Sequence, residues 1–298
     1  MYKQMDVNIM KLMEDFDTDK ECRDVLVKLR WPNGVGCVRC GSTNIRNNYT
    51  RSLYDCGACG FQFSVTTRTI FHDTHLPLPK WFVTIYLMCE SKKGMSANQI
   101  KRTIGVSYKT AWYLCHRIRA AMQDTGGTKL SGTVEADETY VGGKVRGQGH
   151  GYKGNKAIVV GVVQRKGQVR LQVVDDTGKA TLHGFVKTHT APDTENIYTD
   201  EHPSYAGVGD GDTRHATVNH RIEEWVRGDV HTNGIESVWS LLKRSINGSF
   251  HHVSVKHLDS YLDELEWRQN NKENAYLFRD TLMKLLSAER LEYKNLTA

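Results

Sequence analysis

The sequence contains no apolar run approaching about 18 residues, so no membrane-spanning helix is expected and no membrane partner. Its first residues, "MYKQMDVNIMKLMEDF", lack the charged-then-apolar layout of a secretory signal. There is no internal repeat and no low-complexity tract. Acidic residues are the scarcer charge: 34 Asp and Glu against 40 Lys and Arg, a net charge of +6. That balance suits a polyanionic partner but does not identify one. The 298 residues allow one large domain or two to three smaller ones, and 39% hydrophobic with 25% charged residues is an ordinary globular composition. Seven cysteines, an odd number, argue against a disulfide framework and for a reducing, cytoplasmic setting.

Four of those cysteines have a metal-binding spacing. Cys37 and Cys40 are followed, fifteen residues on, by Cys56 and Cys59. Two residues between thiolates let the chain wrap one tetrahedral zinc, so a structural zinc ribbon is expected. Nearby Arg39, Arg46, Arg51 and Arg68 form either a DNA-facing surface or a solvated one. Cys22, Cys89 and Cys115 sit singly among apolar residues and read as buried thiols.

Punctuation divides the chain. Asp19 is a candidate cap for a helix carrying Cys22, Val25, Leu26 and Leu29, which ends at "RWPNG". Pro79 suits the first turn of another helix. "SANQIKRTIGVSYKTAWYLCHRIRAAM" reads as helix, turn, helix, with Ser96 and Ser107 as N-caps and Gly105 at the turn. Its second helix has an apolar stripe of Ala111, Leu114, Cys115, Ile118 and Met122. The expected exposed face holds Tyr108, Lys109, His116, Arg117 and Arg119, of which Tyr108, Lys109 and Arg117 are the DNA-contact candidates. A plain trihelical packing module would carry the same stripe. The Gly-rich stretch 123–132 marks a boundary. The expected domains are an N-terminal helix and zinc ribbon at 1–75, a helix-turn-helix at 76–125, a catalytic domain at 130–275 and a C-terminal helix or tail at 276–298.

Beyond the boundary, strands alternate with helices: a strand over Thr133–Val141, a hairpin turning near Lys166 and Gly167, a helix over Thr181–Thr188, a strand ending at Asp200, the short strand "HATVNH", and helices from His231 through Ile246 and from Val255 to about Asn271. Three acids stand out by position. Asp137 is on the first strand, Asp200 ends "NIYTD", and Glu236 shares a polar helix face with Asn233 and Lys243. Convergent carboxylates repel and need cations, and magnesium or manganese bound by oxygen ligands is the natural solution. Two such ions suit phosphodiester chemistry. Period-two alternation sets Asp137 and Glu135 on one strand face and Glu138 on the other, so Asp137 and Glu138 are not expected to share a metal. The basic, Gly-rich stretch 142–156, with Lys144, reads as either a DNA-tracking loop or a hairpin tip. His220 and His231 read as phosphate-holding or plain surface residues.

"RWPNG" before the knuckles, "VEADETYVGGK", "IYTDEHPSY", "VNH" and "HTNGIESVWSLLKR" occur in the order and spacing of a known group. The chain resembles bacterial insertion-sequence transposases that join an N-terminal zinc ribbon to a ribonuclease H-like DDE domain, a group related to eukaryotic Merlin elements. The resemblance spans roughly Cys22 to Trp267. One departure is "CVRC", where the family commonly has proline after the first cysteine; it touches no ligand. The resemblance implies catalytic roles for Asp137, Asp200 and Glu236, with Asn233 as helper, since some relatives carry Asn and Lys in the third motif. It implies a mixed α/β sheet, structural zinc, catalytic magnesium or manganese, and DNA as partner, at terminal inverted repeats and at a target. Lys144 in the basic loop and Lys243 on the basic part of its helix face are further DNA-contact candidates. Paired ends imply a dimer or higher at the time of reaction. A ribonuclease H-like nuclease or resolvase, or a catalytically silent DNA-binding regulator, remains the alternative.

Overall fold

The computed structural model describes residues 8–124, 127–142, 156–209, 211–219 and 224–297. The chain forms two compact units. The first is Met1–Gln123 together with Glu273–Ala298, and the second is Asp124–Lys272.

The first unit opens with α1 (Ile9–Asp15) and α2 (Asp19–Arg30). The cap of α2 is Thr18, not Asp19: Thr18 and Glu21 form a reciprocal capping box. The Asp19 carboxylate instead accepts from the Leu78 N–H at 2.7 Å and so caps α3 (Leu78–Glu90). Pro79 stands in the first turn of α3, as expected. Between these helices lies the ribbon, an antiparallel sheet of β1 (Ile45–Asn48), β2 (Leu53–Cys56) and β3 (Gln62–Phe63) in that order. Its small core is Cys37, Cys56 and Phe63 under Trp31 and Tyr54.

Next come α4 (Ala97–Ile104) and α5 (Tyr108–Met122), capped by Ser96 and Ser107 and joined through Gly105 in the left-handed conformation. The C-terminal segment, after the second unit, supplies α9 (Leu277–Ser287) and α10 (Tyr293–Thr297) to the same unit. Phe278 of α9 meets Phe16 and Phe82 at ring centroid distances of 6.5 and 5.8 Å.

The packing of this unit corrects the expected face of α5. His116, Arg117 and Arg119 are buried, at 1%, 5% and 1% exposure. Arg117 donates to the carbonyls of Ile70 and His72, and its guanidinium lies over the rings of Trp81 and Tyr113. It is an internal brace, not a DNA contact. Tyr108 and Lys109, in the first turn, remain exposed, with the Lys109 ammonium 4.5 Å over the Tyr293 ring. Arg117→Ala is expected to cost about 3 kcal/mol, since it strands two buried carbonyls and opens a cavity. Arg117→Lys would not recover it, because an ammonium cannot replace the planar fork. Thermal melts check this; an unchanged Tm would refute the bracing role.

The second unit holds a five-stranded sheet: β4 (Leu130–Val141), β5 (Ala157–Gln164), β6 (Val169–Val174), β7 (Thr190–Thr199) and β8 (Arg214–Thr217), ordered β6-β5-β4-β7-β8. The first three run antiparallel, and β4, β7 and β8 run parallel. The hairpin turns at Lys166, which takes a positive φ of 57°. On one face pack Leu182, Phe185 and Val186 of α6 (Lys179–His189) with Val134, Ala136, Val160 and Val162. On the other pack Ile235, Val238, Trp239 and Leu242 of α7 (Asn233–Ser245) and Leu258, Leu262 and Leu265 of α8 (Val255–Asn270). A short π-helical turn, Ile246–Phe250, follows α7. This mixed order, with helices on both faces, is the ribonuclease H-like arrangement. Lys144 and His220 lie outside the described residues.

Candidate active site

Central strand β4 carries the acids. Its parallel pairing with β7 runs to Glu135 opposite Tyr198, and β7 ends at Thr199. Beyond that point the side of β4 next to β7 is open, and Asp200 sits at the opening. Oxygens of Asp137, Glu138 and Asp200 lie within 4.8 Å of one another there. The expectation that Asp137 and Glu138 stay apart is therefore overturned. They do leave opposite faces, but oxygens of both come together with one of Asp200 beyond the end of β7.

Separate tethers hold the two neighbours. Trp239 of α7 donates its indole N–H to Asp137 Oδ2 at 2.8 Å. Gly161 opposes Asp137 on β5, and a Cβ there would come within 2.6 Å of the Trp239 ring, so only glycine leaves room for this indole. On the other face, Tyr205 donates its hydroxyl to Glu138 Oε2 at 3.0 Å, and His202 Nε2 lies 3.9 Å from Oε1. The His202 N–H donates to Asp200 Oδ1 at 2.9 Å.

Burial, then the charges of Asp200 and Glu138, push Asp137 up to about 7 despite the Trp239 hydrogen bond. Burial and Asp200 also raise Glu138, against the opposing pull of Tyr205 and His202. Burial and the nearby carboxylates hold the Tyr205 hydroxyl far above its ordinary range, so it remains a donor. Like charges crowded this way call for a cation. An all-oxygen donor set fits a hard divalent ion, which takes few carboxylates and keeps waters for substrate exchange.

Glu236 is outside this group of three. It lies one turn before Trp239 on α7, and Thr232 donates its hydroxyl to Glu236 Oε1 at 2.9 Å. Asn233 is exposed as the first residue of α7, and Lys243 is exposed near its end. Sequence reasoning missed Glu138 in the cluster and the hydrogen bond from Trp239 to Asp137. The repeated Asp-Glu pair at 137–138 and 200–201 was the available signal for Glu138. Nothing in the sequence signalled Tyr205 as its partner.

In the first unit the four ribbon thiols converge, with Cys37 Sγ 3.7 Å from Cys59 and Cys40 Sγ 3.6 Å from Cys56. Tetrahedral zinc with bonds of about 2.3 Å separates its sulfurs by about 3.8 Å, so the residues fit structural zinc. Arg68 donates to the Val38 carbonyl at 2.8 Å, and the Arg39 guanidinium lies over Phe61, so part of the basic set braces the ribbon. Among the described residues no helix is long and apolar enough to cross a membrane.

A thiolate ribbon preceding a ribonuclease H-like sheet with carboxylates at its open strand edge defines a nucleic-acid-processing class of protein. Comparison with known proteins makes the assignment particular. Residues 129–270 match the ISXO2-like transposase domain, and residues 17–62 match the transposase zinc-ribbon domain. The chain belongs to this transposase family. It is 29% identical over 282 residues to an uncharacterized protein in transposable element ISH50 of Halobacterium salinarum, covering 87% of this chain and 94% of that one. It is 32% identical over 108 residues to an uncharacterized transposase-like protein of Haemophilus influenzae, covering 36% of this chain and 85% of the relative. Among solved structures, the crystal structure of the Mos1 Strand Transfer Complex aligns over 69% of this chain and 75% of that one, at 10% identity and a TM-score of 0.31.

Proposed function

We propose that this transposase cuts DNA at the terminal inverted repeats of its insertion sequence and joins the freed ends to target DNA. The convergence of Asp137, Glu138 and Asp200 at the open edge of β4 carries this reading. Asp137 and Asp200 would hold divalent metal, magnesium or manganese, with Glu236 as the third acid and Glu138 as an added neighbour. Bound there, the metal would supply activation of the attacking oxygen and stabilisation of the leaving one. Trp239 keeps one oxygen of Asp137 oriented, and Tyr205 does the same for Glu138. Water first breaks the phosphodiester at the element end, leaving a 3′-hydroxyl. That hydroxyl then attacks a target phosphodiester, and one ester replaces another with no covalent protein intermediate.

Zinc in the ribbon would be structural. The exposed first turn of α5, with Tyr108 and Lys109, and the exposed Lys243 of α7 are the proposed DNA contacts, and Lys109 and Lys243 suit phosphates. Asn233 would assist beside the site. Paired ends require at least a dimer in the synaptic complex.

Pre-cut end duplexes incubated with supercoiled plasmid test the joining step. Joined, nicked or linearised plasmid is the expected product. Cutting of uncut ends without any joined product would reduce the protein to a nuclease. Excess EDTA should abolish both steps and added Mg²⁺ or Mn²⁺ should restore them; cleavage that persists in EDTA would sink the metal reading.

A further inference from the structure

Glu135 takes no part in the carboxylate group, yet its side chain is only 1% exposed. A buried carboxylate must be fully partnered to be tolerated. Its Oε2 accepts from the N–H groups of Gly234 at 2.6 Å and Ile235 at 3.2 Å. These belong to the first turn of α7, where Thr232 provides no side-chain cap. A residue on a distant strand therefore caps this helix, with the negative charge at the favourable end of its dipole. Oε1 accepts from Arg165 Nε at 3.0 Å. Arg165 Nη2 in turn donates to the carbonyls of Asp229 at 2.7 Å and His231 at 3.3 Å. His231 Nδ1 lies 3.3 Å from Oε1 without hydrogen-bond alignment.

Two residues along β4, Asp137 accepts from Trp239 of the same helix. So α7 is tied to one strand at two points, through its first turn to Glu135 and through Trp239 to Asp137. Glu236 lies between the two ties. Two polar ties to neighbouring positions of one strand fix both the rotation of the helix and its position along its axis. The fit is close: a Cβ at Gly234 would stand 2.7 Å from Glu135 Oε2.

We propose that Glu135 is a positioning residue that fixes α7, and with it the hold of Trp239 on Asp137, so that the divalent-metal affinity of the site depends on it. This rests on the metal-dependent reading given above. A carboxylate serving only to stabilise the helix would change folding stability and leave metal affinity alone.

Two full-length variants perturb the tie differently. Glu135→Gln keeps an acceptor for the backbone N–H groups but loses the charge that Arg165 meets. Gly234→Ala leaves every acid in place and raises helix propensity, but pushes the helix off Glu135. Mn²⁺ binding is read from the electron paramagnetic resonance signal of the free ion, and end cleavage is titrated with Mn²⁺ in parallel. Both variants should raise the Mn²⁺ dissociation constant and the half-saturating concentration by about tenfold or more, the usual effect of removing support from metal ligands. Affinity for end DNA should stay the same, and high Mn²⁺ should restore part of the cleavage. Wild-type Mn²⁺ affinity in folded protein of either variant overturns the proposal. If Glu135→Gln fails to fold, Gly234→Ala decides alone. Asp200→Asn separates the two levels: if it too binds Mn²⁺ normally, the metal reading itself fails. If it loses Mn²⁺ while the other two bind normally, only the positioning role falls.

Discussion

Asp200→Asn is expected to leave binding to element ends intact and to reduce end cleavage roughly a thousandfold or more, the scale set by losing a ligand of a metal-dependent phosphoryl-transfer site. Asp200 is the hinge of the acidic cluster, since its charge contributes to the raised values of both Asp137 and Glu138. Asparagine keeps the size and one acceptor oxygen, so the His202 N–H keeps its partner. What is lost is charge. Asp137→Asn should have the same effect on cleavage, and it offers a second readout in metal-free protein. Asp137 titrates near 7 in the fold against 3.8 ordinarily. The folded protein therefore holds that proton more tightly than the unfolded chain does. The stability linked to this group is complete below about pH 4 and is lost as pH rises through 7, a penalty on the order of 4 kcal/mol. Metal-free Asp137→Asn should accordingly melt higher than wild type at pH 8, and the gap should close towards pH 4. Equal melting at pH 8 would show that the carboxylates do not strain the fold, and full cleavage by either variant would remove them from the chemistry.

Cys56→Ser is expected to lower bound zinc from one ion per chain to none and to unfold the ribbon. Its strands are four, four and two residues long, and its core has only Cys37, Cys56 and Phe63 fully enclosed. So small a sheet cannot support itself. Structural zinc supplies about 10–16 kcal/mol of binding free energy in comparable peptides, far more than such a core can. Zinc content by mass spectrometry, hydrogen exchange across 37–63 and end-binding affinity would follow the change. Exchange protection over 127–142 and 156–209 should persist, since those residues belong to the other unit. A ribbon that stays protected without zinc would refute the metal-folding account. Unchanged affinity for ends with the ribbon unfolded would mean that it serves something other than end recognition.

Much of the architecture was legible because local physics decides it. Cysteine spacing announced the ribbon, and N-cap serines at 96 and 107 announced their helices. A continuous run of β-branched residues announced β5 and alternation announced β6, including the turn at Lys166. The acids Asp137 and Asp200 were legible by position and by resemblance, and the structure brings them together. Other readings failed where a distant segment intervened. Asp19 looked like the cap of its own helix but caps α3, 59 residues away, because Thr18 had already closed α2. Arg117 and Arg119 looked like a basic outer face because periodicity ranks residues by type and cannot see that the Ile70–His72 segment and Trp81 of α3 enclose Arg117.

By itself, then, the sequence determined the four ribbon cysteines, the order of the main helices and strands, and two of the acids, since each depends on residue type and near neighbours. The tertiary structure alone decided the standing of the three carboxylates on β4. Alternation sorts side chains by face, but beyond the end of β7, carboxylates from both faces can come together. Asp137 and Glu138 meet Asp200 there, while Glu135, on the face of Asp137, turns instead to the first turn of α7. Strand periodicity is a property of one chain segment. The end of a neighbouring strand, and the helix that lands on the face, are properties of the assembled sheet.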